Sequence, residues 1–166
     1  VLATIGNLNN DIGVPLTLLK LRQQHAYAVV EMGMNHAGEI AYLTRLAKPD
    51  IAVITNAGAA HIEGLGSIES VAHAKGEIFQ GLGKSGVAVI NADDDYAQLW
   101  YQLAGNRRVI SFGLNSKAQV RADCHSLASN NKWILKFPEG ESEIELQVLG
   151  RHNVMNALAA ASVALG

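Results

Sequence analysis

Ile51-Ala-Val-Ile54, the stretch Ser67 to Leu82, and Val87-Ala-Val-Ile90 decide how this chain folds. The two four-residue runs are uncharged and wholly apolar, the pattern of strands buried on both faces. The segment between them is long enough for a helix and opens on Ser67-Ile-Glu-Ser70, with Ser67 in the N-cap position. Strand, helix and strand in that order predict a parallel pair with a helical crossover. The alternation extends in both directions. Upstream, Val14 to Gln23 carries leucines at helical spacing with Pro15 near its start, Tyr27–Met32 reads as a buried strand, and Gly38–Ala47 reads as a helix that stops before Pro49. Downstream, Asp93–Leu103 reads as helix and Arg108–Phe112 as strand.

The texture changes past Asn115. Val120–Leu127, Trp133–Phe137 and Ile144–Val148 are short alternating strands, separated by Ser129-Asn-Asn131 and Pro138-Glu-Gly140. They predict an antiparallel meander appended to the sheet. Arg151 to Leu165 closes the chain as an alanine-rich helix. The expected fold is α/β, a mostly parallel sheet flanked by helices with an appended antiparallel β segment, in one domain over 1–166.

Composition narrows the function classes. The chain has 166 residues, enough for one domain with a real core, and 49 % of them are apolar. A formal net charge of -2 gives no general attraction to nucleic acid or to anionic membrane. Cys124 is the only cysteine, so neither an internal disulfide nor a thiolate metal site is expected, and a reducing cytoplasm is the natural setting. No apolar run approaches the roughly 20 residues of a membrane span, and no basic-plus-apolar leader is visible.

Four clusters carry chemistry. Glu31-Met-Gly-Met-Asn-His-Ala-Gly-Glu39 follows an apolar run. An ionised carboxylate at the end of a buried strand is costly unless something pairs with it, and such strand ends are where α/β sheets bind ligands. Glu31 is thus a candidate for a hard cation such as Mg²⁺, or else a cap for the next helix. Gly6-Asn-Leu-Asn-Asn-Asp-Ile-Gly-Val-Pro15 precedes a helix and suits either an anion or a capped loop. Thr55-Asn-Ala-Gly-Ala-Ala-His-Ile-Glu-Gly64 follows a second buried strand, so it is expected on the same sheet edge as Glu31, with His61 a metal or phosphate ligand, or else structural or merely exposed. Gly150-Arg-His-Asn-Val-Met-Asn156 opens the last helix, and Asn153 and Asn156 share a face there. Their amides offer a donor and an acceptor together, which fits a purine edge as well as a helix start. Lys75, in His73-Ala-Lys-Gly-Glu77, reads from position alone as a solvated face residue. Gly81-Leu-Gly-Lys-Ser-Gly86 lacks the glycine spacing of a phosphate loop and reads as a helix stop and turn.

In order along the chain, the segments 6–15, 31–40, 59–67, Ala74-Lys-Gly-Glu-Ile-Phe79, Asn91-Ala-Asp-Asp94 and 150–159 resemble the central ATP-binding domain of the Mur ligase family. The resemblance implies an ATP-dependent ligase of peptidoglycan precursor synthesis that works through an acyl phosphate. The 6–15 and 31–40 segments favour members using D-alanyl-D-alanine and a UDP-N-acetylmuramoyl-tripeptide. By resemblance, Glu31 and His61 hold Mg²⁺ and Lys75 is carbamylated beside the metal, which makes these three the catalytic set. Asn153 and Asn156, with Arg151, match the ATP-binding end of the last helix, and Asn7, Asn9 and Asn10 fall where relatives approach the muramoyl substrate.

The family's phosphate loop would precede Val1. The resemblance therefore implies an excised central domain, without the UDP-binding and C-terminal domains, inactive on its own and prone to self-association through uncovered surface. Two alternatives stay open: another Mur ligase or a folylpolyglutamate synthase, and a non-catalytic α/β binding module.

Overall fold

The structure is a computed structural model that describes residues 1–58, 62–115, 117–123, 132–148 and 150–166, with Ile62 and Glu63 described by backbone alone. Its elements in chain order are β1 (Leu2–Ala3), α1 (Gly13–Leu18), β2 (Ala28–Val29), α2 (Glu39–Ala47), β3 (Ile51–Ile54), α3 (Ile62–Leu65), α4 (Ile68–Gly76), a 3₁₀ turn (Glu77–Gly81), β4 (Val87–Asn91), α5 (Ala97–Ala104), β5 (Arg108–Gly113), β6 (Val120–Ala122), β7 (Lys132–Phe137), β8 (Gly140–Glu145) and α6 (Arg151–Ala164).

Strands β3 to β8 form one sheet in sequence order. The first four are mutually parallel, and β7 and β8 continue the sheet antiparallel, as the meander predicts. Two-residue periodicity then sorts the side chains. Val87 and Val89 of β4 pack with Phe112, Val120 and Leu158 on the α6 face. Ala88 and Ile90 pack with Ala72, Phe79 and Trp100 on the α4–α5 face. The result is three layers, with the sheet between α6 and the α4–α5 pair. The buried Trp100 indole donates to the Ala72 carbonyl (2.9 Å), which ties α5 to α4.

Several boundaries differ from the sequence expectation, each for a local reason. Tyr27–Met32 is not a buried strand: β2 is two residues long, pairs only with β1, and leaves Val29 61 % exposed. Glu31 and the Thr55 loop consequently follow strands of different sheets rather than sharing one edge. Helix α1 stops at Leu18 instead of Gln23 because Leu16 and Leu19 face outward, so no apolar face propagates the helix, and past Leu19 the amides of Lys20 and Leu21 bond three residues back. The Ser67–Leu82 helix begins as expected, with Ser67 Oγ accepting from Ser70 N (3.1 Å). It tightens into the 3₁₀ turn after Gly76, where the Thr44 hydroxyl takes the Ile78 carbonyl (2.8 Å) and Leu82 N bonds Phe79 O instead. Helix α5 starts at Ala97 rather than Asp93, since Asp93 and Asp94 spend their side chains on neighbouring loops. Strand β8 runs over Gly140–Glu145 rather than Ile144–Val148, with Phe137 paired to Gly140 across the turn. Its Glu-Ser-Glu sequence conceals it from a hydrophobic pattern. Of Val120–Leu127, the first three residues are strand, and 124–127 fall outside the described residues. Strand β1 and helix α3 had no visible signal.

Candidate functional site

The loop leaving β3 is held at three consecutive residues. Asn91 Nδ2, at the end of β4, donates to Thr55 O (2.8 Å). Lys75 Nζ, from α4, donates to Asn56 O (2.7 Å). Ala57 N donates to Asp94 Oδ2 (2.9 Å). Helix α4 packs on the sheet face below this loop, which leaves Lys75 half-buried. Burial lowers the proton affinity of its amine, and the nearby Asp94 charge offsets part of that. A cleft of about 280 Å³, lined by Ala57, Ile68, Asp93, Asp94, Asp95 and Tyr96, opens beside the loop.

A second cluster surrounds Glu31. Its backbone N–H donates to Thr4 Oγ1 (2.9 Å), and its Oε1 accepts from Asn9 Nδ2 (2.7 Å). Asn9 O also accepts from Gly33 N (2.7 Å), and a Cβ at Gly33 would stand 2.9 Å from the Asn9 amide. Asn9 is therefore engaged with the Glu31–Gly33 segment on two sides. Asn10 Oδ1 accepts from Ile12 N and Gly13 N, the capped-loop arrangement. The Asn7 side chain is exposed and has no hydrogen-bond partner among the described residues. Glu31 is exposed, and its other oxygen is unpartnered among the described residues.

The two clusters meet through α2 and α4. Met34 is buried with Ile40, Val71 and Ala74, which pins the loop after Glu31 to the helix that carries Lys75. Glu77, two residues past Lys75, accepts from Gly38 N (2.8 Å) and Ala41 N (3.1 Å) and so caps α2 from a distant segment. Glu39 accepts from Asn35 N (2.6 Å) and His36 N and Nδ1 (3.2 and 3.0 Å). The Asn35 amide first, and then the His36 ring, hold its carboxyl below the ordinary value. Gly64 of α3 lies so close to the Asn35 carbonyl that a Cβ would collide with it. His61, just before α3, lies outside the described residues. Among the described residues no three His, Cys, Asp or Glu side chains converge as a metal set.

Arg151, Asn153 and Asn156 occupy the first turns of α6. The far end of α6 is anchored at the start of the strands: Arg108 donates to Leu165 O and Gly166 O, and Gly166 abuts Ile51 and Val87. A 14-residue helix rises about 21 Å, which carries its first turn to the C-terminal strand edge. Arg151 to Asn156 thus reach the edge that bears Asn56 and Asp94, but on the opposite sheet face from Lys75. Sequence reading missed Asn91, Asp94 and Glu77 as site residues. The available signal was polar side chains directly after a buried strand and directly after Lys75.

The Mur ligase middle domain family matches residues 1–164. The UDP-N-acetylmuramoyl-tripeptide–D-alanyl-D-alanine ligase of Haemophilus influenzae is 47% identical over 165 residues, covering 99% of this chain and 36% of the relative. Its Escherichia coli counterpart is 45% identical over 166 residues, covering 99% and 37%. Among solved structures, MurF from Acinetobacter baumannii superposes with a TM-score of 0.90 at 38% identity, over 99% of this chain and 36% of that one. MurF ligase from Thermotoga maritima in complex with ADP gives 0.82 at 25% identity, over 98% and 38%. The chain spans a little over a third of the length of these relatives. Its parallel sheet, its ordered motifs and these matches agree, and the chain belongs to the Mur ligase family as the middle domain.

Proposed function

We propose that this chain is the ATP-using middle domain of a cytoplasmic ligase that joins D-alanyl-D-alanine to a UDP-N-acetylmuramoyl-tripeptide. The relatives of that name support the reading, as does the ADP complex of the Thermotoga maritima ligase. The observation that carries it is Lys75, a half-buried amine held on the Asn56 carbonyl at the ligand-binding edge of the sheet. Burial lowers the proton affinity of this lysine and so raises the share of amine whose nitrogen lone pair is free. That nitrogen adds to the carbon of CO₂ and releases a proton, leaving a carbamate with the charge of a carboxylate.

The donor chemistry fits Mg²⁺. Glu31 is exposed and keeps a carboxylate oxygen free while Asn9 orients the other, and hard cations take such oxygens. Glu31, His61 and carbamylated Lys75 would hold the ion. When bound, it neutralises charge on the transferred phosphoryl group. In the overall reaction the peptide carboxylate oxygen attacks the γ-phosphorus and ADP leaves. The D-alanyl-D-alanine amine then attacks the acyl carbon, and phosphate leaves as the amine loses a proton. The first turns of α6, with Arg151, Asn153 and Asn156, would receive the adenine end of ATP. The exposed Asn7 and Asn10, with the half-buried Asn9 between them, would meet the muramoyl substrate.

The test is ADP release by the complete protein against a panel of amino acid and dipeptide acceptors. D-alanyl-D-alanine should be used in preference, and turnover with glutamate alone overturns the assignment. Exposed Ile5, Ile12, Leu19, Tyr27 and Val29 support self-association of the 166-residue chain when isolated. Sedimentation that stays monomeric at high concentration argues against that.

A further inference from the structure

We propose that Asn91 and Asp94 are positioning residues that fix the Thr55–Ala57 loop so that its Asn56 carbonyl meets the Lys75 amine. Three hydrogen bonds from two segments, α4 and the end of β4 with the turn after it, fall on three successive residues: Thr55 O from Asn91, Asn56 O from Lys75, and Ala57 N to Asp94. The two outer bonds bracket the central one. Without them the Thr55–Ala57 backbone would keep, among the described residues, the Lys75 bond and the packing of Ala57 on the α4–α5 face, and the Asn56 carbonyl would be less firmly directed at Lys75.

The clamp is itself built rigidly. Asn91 is 7 % exposed, and its Oδ1 accepts from Asp93 N (2.9 Å), which fixes the amide with its nitrogen toward Thr55. Asp94 Oδ1 accepts from Tyr96 N (3.0 Å), leaving Oδ2 aimed at Ala57. The intervening Asp93 is committed elsewhere, to Leu114 N and the Asn115 side chain, and so belongs to the end of β5. Within Asn91-Ala-Asp-Asp94 the first and last residues therefore serve the β3 loop, and the third serves β5. The polar side chains are explained by what they hold.

The kinetic arm of the test rests on the ligase reading above; the exchange arm does not. In the complete protein, Asp94→Ala should speed amide hydrogen exchange at Ala57 about tenfold or more while Val89, inside β4, stays unchanged. It should lower kcat by roughly ten- to a hundredfold, the scale of a small misplacement of a reacting group, with the KM for ATP held within about twofold. Asp94→Asn keeps one of the two acceptor oxygens and should recover part of both effects. Asn91→Ala supplies a second variant, with the same direction at Ala57, should Asp94→Ala not fold. Unchanged exchange at Ala57 in folded Asp94→Ala or Asn91→Ala overturns the clamp. So does a kcat loss that Asp94→Asn fails to relieve, or a loss that appears entirely in KM. If the wild-type protein ligates nothing, the ligase reading falls and the exchange arm still decides the clamp.

Discussion

Glu77→Ala removes the cap of a helix that Glu77 does not belong to. Its two carboxylate oxygens accept from Gly38 N at 2.8 Å and Ala41 N at 3.1 Å, at the N-terminus of α2. No side chain within α2 caps that end, whose N-cap is Gly38 at φ 89. Losing an N-cap acceptor costs about 0.5–2 kcal/mol, and a negative charge at a helix N-terminus contributes about 0.3–1 kcal/mol when exposed. The bond to Gly38 is solvent-exposed and the bond to Ala41 half-buried, so the upper ends do not apply. Glu77→Ala should therefore destabilise the chain by about 1.5 kcal/mol. Glu77→Gln, which keeps one oxygen, should cost about half that. With a urea m-value of about 2 kcal/mol/M, the midpoint falls by roughly 0.7 M for the alanine variant, and the melting temperature by about 3–6 °C. Amide exchange at Gly38 and Ala41 should accelerate first, because the loss is local to that turn. Equilibrium urea unfolding reads the first quantity. A Glu77→Ala variant within about 0.3 kcal/mol of wild type would refute the capping argument. The consequence for the site is indirect, since α2 also carries Glu39, which holds the Asn35–His36 turn after Glu31.

Three further outcomes are expected. Lys75→Ala in the complete protein should lose most turnover and regain part of it with added short-chain carboxylates; turnover equal to wild type rules out the carbamate role. Glu39 has a lowered folded-state pKa, so its stabilisation is present above the ordinary value of 4.5 and is lost as pH falls through the lower folded value. The urea-midpoint gap between wild type and Glu39→Gln should thus be widest near neutrality and close in acid, and a gap that widens in acid contradicts the sign. Gly64→Ala should push α3 off the Asn35 carbonyl, because backbone there cannot move as a side-chain tip can. The expected readout is a chemical-shift change at Asn35 and His36 and a lower unfolding midpoint, whereas unchanged shifts would mean the two segments do not touch.

The sequence disclosed what is local. Ile51–Ile54 and Val87–Ile90 advertise buried strands because both faces are apolar, and β3 and β4 bury alternate residues against α6 and against α4–α5. Ser67 announces a helix start because capping chemistry is confined to four residues. Tyr27–Val30 deceived for the complementary reason: apolar character is one-way evidence of burial, and β2 has a single two-residue partner. The wiring of the site is long-range and left no periodicity to read. Lys75 reaches Asn56 across 19 positions, Asp94 reaches Ala57 across 37, and Glu77 reaches Gly38 across 39. Each of these polar residues has an ordinary local explanation, as a solvated lysine, a turn aspartate or a helix-end glutamate. What distinguishes them is the partner, and the partner is set by packing: Met34 against Ala74 brings the Glu31 loop to α4, and Trp100 against Ala72 brings α5 beside it. The apolar core therefore sets the site indirectly. It fixes which loops can share a hydrogen bond, and through them whether Glu31 and Lys75 can face one ligand.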